Sequence, residues 1–244
     1  MTVFDRPLVP AIVVALGVAL GGAAAGSGVA RSRLGDRYVT VKGISEREAR
    51  ADLAIWPLHL VAADNDLSRA NARLEASAST VRDFLTRHHI DTAGIEVQDF
   101  SVTDAYLTQG DAGTRPTARY AIHQTIVVRS TKPDLVLAAS QRVAELVSAG
   151  VVLSSGAEFG NGGPTFIFTG LNSLKPQMIA EATARAREGA EQFAHDSHSS
   201  IGPIRQASQG VFEILPRDQA PGISEESQIV KTVRVVSTID YMLR

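Results

Sequence analysis

The sequence of 244 residues contains no cysteine. That absence excludes disulfide bonds, thiolate metal sites and cysteine nucleophiles, and it is compatible with an oxidising compartment without requiring one. Aromatic residues are also scarce, at 5% of the chain, whereas Ala and Val recur throughout. We therefore expect a core of small aliphatic side chains packed between helices and sheet.

The sequence has no excess of charge of either sign. Its 24 Lys and Arg residues nearly balance its 26 Asp and Glu residues, which leaves a formal net charge of -2. No overall field is available to attract nucleic acid or an anionic membrane surface. We therefore expect no nucleic-acid partner.

One N-terminal stretch, from Leu8 to Gly26, lacks charged residues altogether. It approaches the roughly 20 apolar residues that cross a bilayer core, and it lacks the polar stripe of a soluble amphipathic helix. We interpret residues 1–30 as a transmembrane anchor or signal segment and residues 31–37 as a linker. The side chains expected in the hydrocarbon include Leu8, Ile12, Val14, Leu16 and Leu20.

The sequence leaves open whether this segment is retained or removed. Ala23 to Ala25 form a small-residue site of the kind that signal peptidases cleave. Retention is favoured by the length of the apolar run and by the pairs Gly17/Gly21 and Gly22/Gly26, whose spacing lets membrane helices pack closely. Both outcomes imply export.

The charges that flank the segment argue for the opposite orientation. Arg31, Arg33 and Arg37 follow it, whereas Arg6, offset by Asp5, precedes it. The positive-inside rule would therefore place the following domain in the cytoplasm.

Residue periodicity after the linker predicts an α+β fold of antiparallel sheets with helices packed on one face, because the order ββα-ββα-ββα-ββ lacks the strict alternation of a parallel sheet. The predicted helices cover residues 66–88, 133–150 and 172–195, the last capped by Asn172 and buried through Leu174, Met178, Ala182, Ala186 and Phe193. The predicted strands cover residues 38–43, 51–62, 95–100, 120–129, 151–159, 165–168, 204–215 and 228–243, with a hairpin loop at 108–116.

Three of these elements have a predicted apolar face. In the second strand it consists of Ala54, Trp56, Leu58 and Leu60, in the first helix of Leu67, Ala70, Leu74, Ala78, Val81 and Leu85, and in the last strand of Ile229, Val233, Val235, Ile239, Tyr241 and Leu243.

Two strands carry irregularities. Pro57 lacks an amide donor, which indicates an edge or a bulge, and the alternation after Ile95 changes phase at Asp99 and Phe100, as a bulge requires. Trp56 is either a core anchor or a contact between subunits. Because an edge strand can accept a strand from another subunit, Trp56 and Pro57 are candidate interface residues.

Several of these segments together resemble the SIMPL-domain proteins, relatives of the periplasmic immunogenic and oxidative-stress-defence proteins of Gram-negative bacteria. The residues that carry the resemblance are 39–43, 46–54, the helix from Asp66, 120–128, 178–193 and 233–241.

The resemblance covers residues 38–244 and implies an exported α+β domain that assembles with copies of itself into rings, with a link to envelope or oxidative stress. It brings no catalytic residues and no cofactor. It also favours a single-pass protein of the bacterial inner membrane with its domain in the periplasm; the alternative is a cleaved, soluble periplasmic protein. The long apolar segment and the turn at Gly160 to Pro164 depart from many members.

Candidate binding chemistry is sparse. His195 and His198 could hold a metal only with a third ligand from elsewhere, and imidazoles at a helix end are also favoured by the helix dipole. His88 and His89 are neighbours, which point about 100° apart on a helix and cannot share one ligand. A ligand- or metal-binding periplasmic module remains the alternative hypothesis.

Two further patterns lack the context that chemistry needs. The glycine turn at Gly160 to Pro164 would cradle an anion only before a helix, and a strand is predicted to follow it. Ser154 lies outside any nucleophile elbow. Glu181, Glu188 and Glu191 alternate with Arg185 and Arg187 as on a solvated, ion-paired helix face. We expect no enzyme, no metal and no catalytic site.

Overall fold

A computed structural model describes residues 15–19, 21–22, 37–108, 117–154 and 162–244. The chain divides into two compact units. The terminal unit comprises Met1–Ser45, Ile179–Val211 and Val235–Arg244, and the central unit comprises Glu46–Met178 and Phe212–Arg234. The strands are antiparallel wherever their register is defined, and helices accompany both sheets, which confirms the α+β prediction.

Strands and helices are interspersed along the chain. The strands are β1 (Tyr38–Arg50), β2 (Leu53–Asp64), β3 (Ile95–Asp104), β4 (Tyr120–Ser130), β5 (Thr165–Ile167), β6 (Ile201–Gln209), β7 (Glu213–Pro216) and β8 (Val230–Leu243). The helices are α1 (Leu67–Arg87), α2 (Ala105–Thr108), α3 (Pro133–Ser140), α4 (Ala144–Ser148) and α5 (Leu171–Asp196). Short 3₁₀ turns cover Thr92–Gly94 and Glu225–Ser227.

The central unit packs α1 on one face of a four-stranded sheet with the order β3-β4-β2-β5. Asp66 is the N-cap of α1, and its carboxylate accepts hydrogen bonds from the backbone amides of Ser68 and Arg69. The predicted inward face of β2 is confirmed, and that of α1 is confirmed except at Leu67, which is 44% exposed. The core contains Ala54, Trp56, Leu58, Leu60, Ala70, Leu74, Ala78, Val81, Phe84, Leu85, Ile122, Ile126 and Val128.

Strand β2 lies inside this sheet, so the edge or bulge predicted from Pro57 is wrong. β2 pairs with β4 in unbroken register from Ala54 to Asp64. On its other side, Val61 donates to the carbonyl of Val152 and the carbonyl of His59 accepts from Ser154. Backbone groups two residues apart point to the same side of a strand, so those of Pro57 face away from β4, like those of His59 and Val61. The missing N–H of Pro57 therefore removes no hydrogen bond between β2 and β4.

In the terminal unit, β8 lies between β1 and β6, and the helix α5 packs on its buried face. The predicted alternation of β8 is confirmed, since Ile239 and Tyr241 are buried together with Val39 of β1. Helix α5 buries alanines at four-residue spacing, so its predicted stripe is right at Ala182 and Ala186. It is wrong at Phe193, which is 49% exposed, because Ala190 and Ala194 continue the row.

Other boundaries differ from the predictions for local reasons. The helix expected over 133–150 is divided into α3 and α4, because the Ser140 hydroxyl donates to the Leu137 carbonyl and the next amides form three-residue turns. Asn172 is the second residue of α5 rather than its cap. The strand expected over 204–215 is broken between β6 and β7.

The N-terminal prediction falls mostly outside the described residues, as do residues 109–116 of the predicted hairpin loop, 155–159 of a predicted strand and 160–161 of the glycine turn. Of the expected membrane residues, Leu16 is described; it is helical and 56% exposed. Leu8, Ile12, Val14 and Leu20 lie outside the described ranges. Within those ranges, every helix is too short or too polar to span a bilayer.

Candidate assembly surface

Strand β3 forms one edge of the central sheet, and its residues from Glu96 to Thr103 are exposed on both faces. An edge strand presents backbone donors and acceptors that another strand can pair with. Proteins commonly protect such edges with Lys, Pro, other charged side chains or a bulge; β3 lacks Lys and Pro, but it has a bulge and three acidic residues. Among the described strands, only β4 pairs with β3, so strand addition would take place on its other side.

A β-bulge interrupts β3 between Gln98 and Ser101 and shifts the phase of its alternating side chains. The register with β4 shifts between Gln98 and Ser101, and Asp99 has a positive φ of 51°, which confirms the predicted bulge. Asp99 lines a recess on one face together with His59 and His123. Phe100 lines a groove on the other face.

This groove, called the β3 groove here, has a volume of about 760 Å³. Its apolar wall consists of Leu67, Phe100, Val102, Tyr120 and Ile122. Phe100 and Val102 are largely exposed. Exposed aromatic and aliphatic side chains that adjoin one another on an open sheet edge are typical of a surface that binds protein.

An ion pair holds the end of β3 beside the groove. The Nε and Nη2 atoms of Arg119 donate to Oδ2 of Asp104 at 3.2 and 3.0 Å. These bonds hold the pKa of the Asp104 carboxyl below its ordinary value and raise the pKa of Arg119. The guanidinium also lies over the rings of Tyr106 and Tyr120, at 5.4 and 4.8 Å from their centroids.

Helix α2 continues this surface beyond the strand. Tyr106 is exposed and Leu107 is 85% exposed, so both present apolar atoms to solvent next to the fixed Arg119. The β3 surface, defined as Val97, Phe100, Val102, Tyr106 and Leu107, was not predicted. The phase change at Asp99 and Phe100 indicated the bulge, but the exposure of β3 depends on its place in the sheet.

The predicted interface residues occupy other positions. Trp56 is 1% exposed and packs edge-on against Phe84 at 6.4 Å between ring centroids, which is the core alternative. Pro57 is half-buried and lines a groove of about 450 Å³ with Gly162, Gly163 and others. An intersubunit role for Pro57 stays a prediction.

The candidate metal ligands are not gathered. His195 Nδ1 lies 3.2 Å from Oδ1 of Asp196, both exposed, and His198 follows the helix with a positive φ of 53°. His88 packs on Phe84 at 4.4 Å between ring centroids. Across the described ranges, no three His, Asp or Glu side chains lie close enough to hold a metal ion.

The remaining candidates have structural surroundings. β5 follows Pro164, so no helix begins after the glycine turn, as predicted. The backbone amide of Ser154 donates a hydrogen bond to the backbone carbonyl of His59 at 2.8 Å. Glu181 pairs with Arg185 at 3.2 Å and accepts the buried Ser45 hydroxyl at 3.0 Å, which confirms ion pairing at one pair of the predicted face.

Comparison with known proteins identifies a family. No curated protein matches the chain. A crystal structure of an uncharacterized conserved protein from Listeria innocua is 13% identical, with 78% of this chain and 91% of that chain covered and a TM-score of 0.15. The family described as SIMPL, protein of unknown function (DUF541), matches residues 39–237. Since the match spans most of the length of this chain, the chain belongs to the SIMPL family.

Proposed function

We propose that this chain is a non-enzymatic, membrane-anchored SIMPL protein of the periplasm, whose domain assembles with copies of itself through the β3 surface. The observation that carries the proposal is the edge strand β3, exposed on both faces and bordered by apolar side chains. The self-assembly implied by the resemblance to SIMPL proteins supports it.

Two terms favour association at this edge. A strand added to β3 forms main-chain hydrogen bonds with its open side, and the side chains of Phe100 and Val102 lose apolar contact with water. The Arg119–Asp104 pair keeps the end of the strand in place before association, which lowers the entropy lost on binding.

The membrane half of the proposal is supported by the uncharged run from Leu8 to Gly26. A single-pass inner-membrane anchor is proposed, with the cleaved soluble protein as the alternative. The link to envelope or oxidative stress is supported by the family resemblance alone.

The assembly half is tested by the size of the full-length protein in mild detergent, measured by light scattering at micromolar concentration. We expect an oligomer, and a strictly monomeric species would defeat this half. Val97→Lys places a charge in the β3 surface and should shift the oligomer toward monomer. Val152→Lys is the matched control, since Val152 is 60% exposed against 54% for Val97 and lies beside β2, outside the groove that Pro57 lines.

The location half is tested by reporters fused after Arg244. We expect activity from a reporter that works only in the periplasm and silence from one that works only in the cytoplasm. The reverse result would support the orientation that Arg31, Arg33 and Arg37 favour. Recovery of the intact chain in the soluble cytosolic fraction would remove the membrane half.

A further inference from the structure

Strand β3 carries acidic side chains along the sheet face that points away from α1. Gln98 pairs with Thr125 on that face, and its side-chain amide donates to the Glu96 carboxylate at 3.0 Å, so Glu96 shares the face. Asp99 lines the recess on the same face. Glu96 and Asp99 are both exposed and are called the acidic border here. The third acidic residue of β3, Asp104, is held in its own ion pair.

The opposite face of β3 is apolar. Val97 and Val102 pair with Ile126 and Ile122, which belong to the core beneath α1, and Phe100 lines the β3 groove on this side. A strand added to the open side of β3 would place alternate residues over the groove and the others beside the acidic border. The matching strand therefore has small or apolar residues on one face and basic residues on the other.

A second copy of β3 does not match this description. Antiparallel pairing of two β3 strands continues the sheet with the same faces on the same side, so the two acidic borders come to lie side by side. Like charges opposite one another on neighbouring strands are destabilising. The strand that adds to β3 is therefore a different segment, with basic side chains.

Residues 30–34, which lie outside the described ranges, have the required pattern. They read Ala-Arg-Ser-Arg-Leu, so in an extended chain Arg31 and Arg33 share one face, and Ala30, Ser32 and Leu34 share the other. The positive-inside rule opposes export of arginines that directly follow a membrane segment. Their position therefore calls for a role in the exported domain, and pairing with the acidic border supplies one.

We propose that residues 30–34 of a second copy add to the open side of β3 as a strand, with Leu34 over the β3 groove and both arginines beside the acidic border. This inference rests on the assembly half of the proposed function and names the segment that binds. It applies to the anchored and to the cleaved form, because residues 30–34 follow the small-residue site at residues 23–25.

The lengths of the segments suit a contact between copies. Residues 30–34 extend over about 17 Å, which is half the length of the 10-residue strand β3. From Leu34 to Tyr38 the chain spans at most about 14 Å, so the start of β1 in the donating copy lies close to the accepting edge. Each copy offers one such segment and one β3 edge. The contact is therefore head-to-tail and can close into a ring.

The test uses disulfide cross-linking of the full-length protein, whose lack of cysteine gives a clean background. Two copies with different tags are produced in the same cells and oxidised mildly in detergent. One carries Ala30→Cys, Ser32→Cys or Leu34→Cys, and the other carries Val97→Cys or Val102→Cys. Paired strands bring facing residues within disulfide range. We expect at least one of these combinations to give a mixed disulfide dimer.

A matched control places the second cysteine elsewhere on the central unit. Val152 is 60% exposed, against 54% for Val97 and 46% for Val102, and it lies beside β2. Val152→Cys should therefore give no mixed dimer with any cysteine in residues 30–34.

Charge reversal gives a quantitative readout by light scattering. Arg31→Glu together with Arg33→Glu should weaken assembly about tenfold, because two attractive cross-strand pairs become repulsive. Adding Glu96→Arg should recover part of this loss. Arg82→Glu together with Arg187→Glu changes the net charge equally at exposed positions of α1 and α5 and should leave assembly unchanged.

The outcomes separate this inference from the proposed function. An oligomer that survives the reversal and forms no mixed disulfide with β3 would overturn the role of residues 30–34 and leave self-assembly standing. A disulfide between Val102→Cys of one copy and Val102→Cys of another would show that β3 pairs with itself, which also overturns the inference. A strictly monomeric unaltered protein would overturn both.

Discussion

Gly43 of β1 and Ala182 of α5 approach so closely that a side chain at Gly43 has no room. A Cβ built on Gly43 would overlap the carbonyl oxygen of Ala182 and lie 2.5 Å from the amide nitrogen of Ala186. Both obstacles are backbone atoms, which cannot rotate away. The contact fixes the distance between strand and helix in the terminal unit.

Gly43→Ala should therefore destabilise the protein by about 3 kcal/mol, the upper part of the range for overpacked sites. Denaturant unfolding followed by circular dichroism measures the change. Gly189→Ala is the matched control on the exposed face of α5, where nothing lies within 4 Å of the added atom. It should stabilise by about 0.5–1 kcal/mol, because alanine favours the helix. Equal effects of both substitutions would contradict the close approach.

Tyr241→Phe should leave the free energy of unfolding unchanged or raise it by about 1 kcal/mol. The Tyr241 hydroxyl is buried, and no described residue offers it a hydrogen bond. Burying a polar group without a partner costs free energy that phenylalanine avoids. Tyr106→Phe removes an exposed hydroxyl and should change stability by less than about 0.5 kcal/mol. A loss above 1 kcal/mol in Tyr241→Phe would show that the hydroxyl is satisfied.

Glu225→Ala should cost about 3 kcal/mol, because it leaves the fully buried Lys231 ammonium without its carboxylate. The ammonium retains one bond, to the Glu225 carbonyl at 2.7 Å. Adding Lys231→Met should recover most of the loss, since no buried charge then remains. Glu226→Ala, in the same turn but exposed, is the control. Thermal unfolding of the unaltered protein, Glu225→Ala, Lys231→Met and the double variant measures the coupling between the two substitutions; a loss in the double variant equal to the sum of the two single losses would contradict the ion pair.

Acid should weaken the start of α1 through Asp64. The Asp66 amide, and then Arg69 and Arg73 at 3.0 and 3.1 Å, hold the pKa of the Asp64 carboxyl below its ordinary 3.8. A carboxyl with a lowered folded pKa contributes stability that is complete above the ordinary value and disappears as the pH falls through the folded value. We therefore expect the loss to begin near pH 4.

Unfolding midpoints measured from pH 7 to pH 2 test this expectation. Asp64→Asn should lower the midpoint at pH 7 and reduce its decline below pH 4, because the variant no longer takes up that proton on unfolding. Asp83→Asn, exposed on α1, should leave both unchanged. An Asp64→Asn profile parallel to that of the unaltered protein would exclude Asp64 as the source.

Local pattern predicted much of the fold. Alternation along β8 identified its buried face, and the three- and four-residue spacing identified the core side of α1. The change of phase in the alternation at Asp99 and Phe100 was sufficient to predict the bulge in β3. Alternation did not predict that Lys231 lies on the buried face of β8. Its ammonium is paired there with Glu225, which lies in a preceding turn and not in the strand.

The β3 surface could not be predicted in the same way. Strand β3 contains valines, as half-buried strands commonly do, and such residues occur both in inner strands and at edges. Its sequence therefore does not show that β3 lies at the edge of the sheet. The edge or bulge predicted from Pro57 was wrong for the same reason. Pro57 indicates that one side of a strand lacks a donor, but the neighbours on each side are set by distant residues.

The amino-acid sequence by itself determined the kinds and order of the elements, most of their buried faces and the exclusion of thiol chemistry. These depend on side-chain type and on spacing within one helix or strand. The tertiary structure decided which strand is the open edge, which charges meet, and that Gly43 must lack a side chain. These depend on pairings between residues far apart in the chain, such as Gly43 with Ala182 and Arg205 with Tyr38.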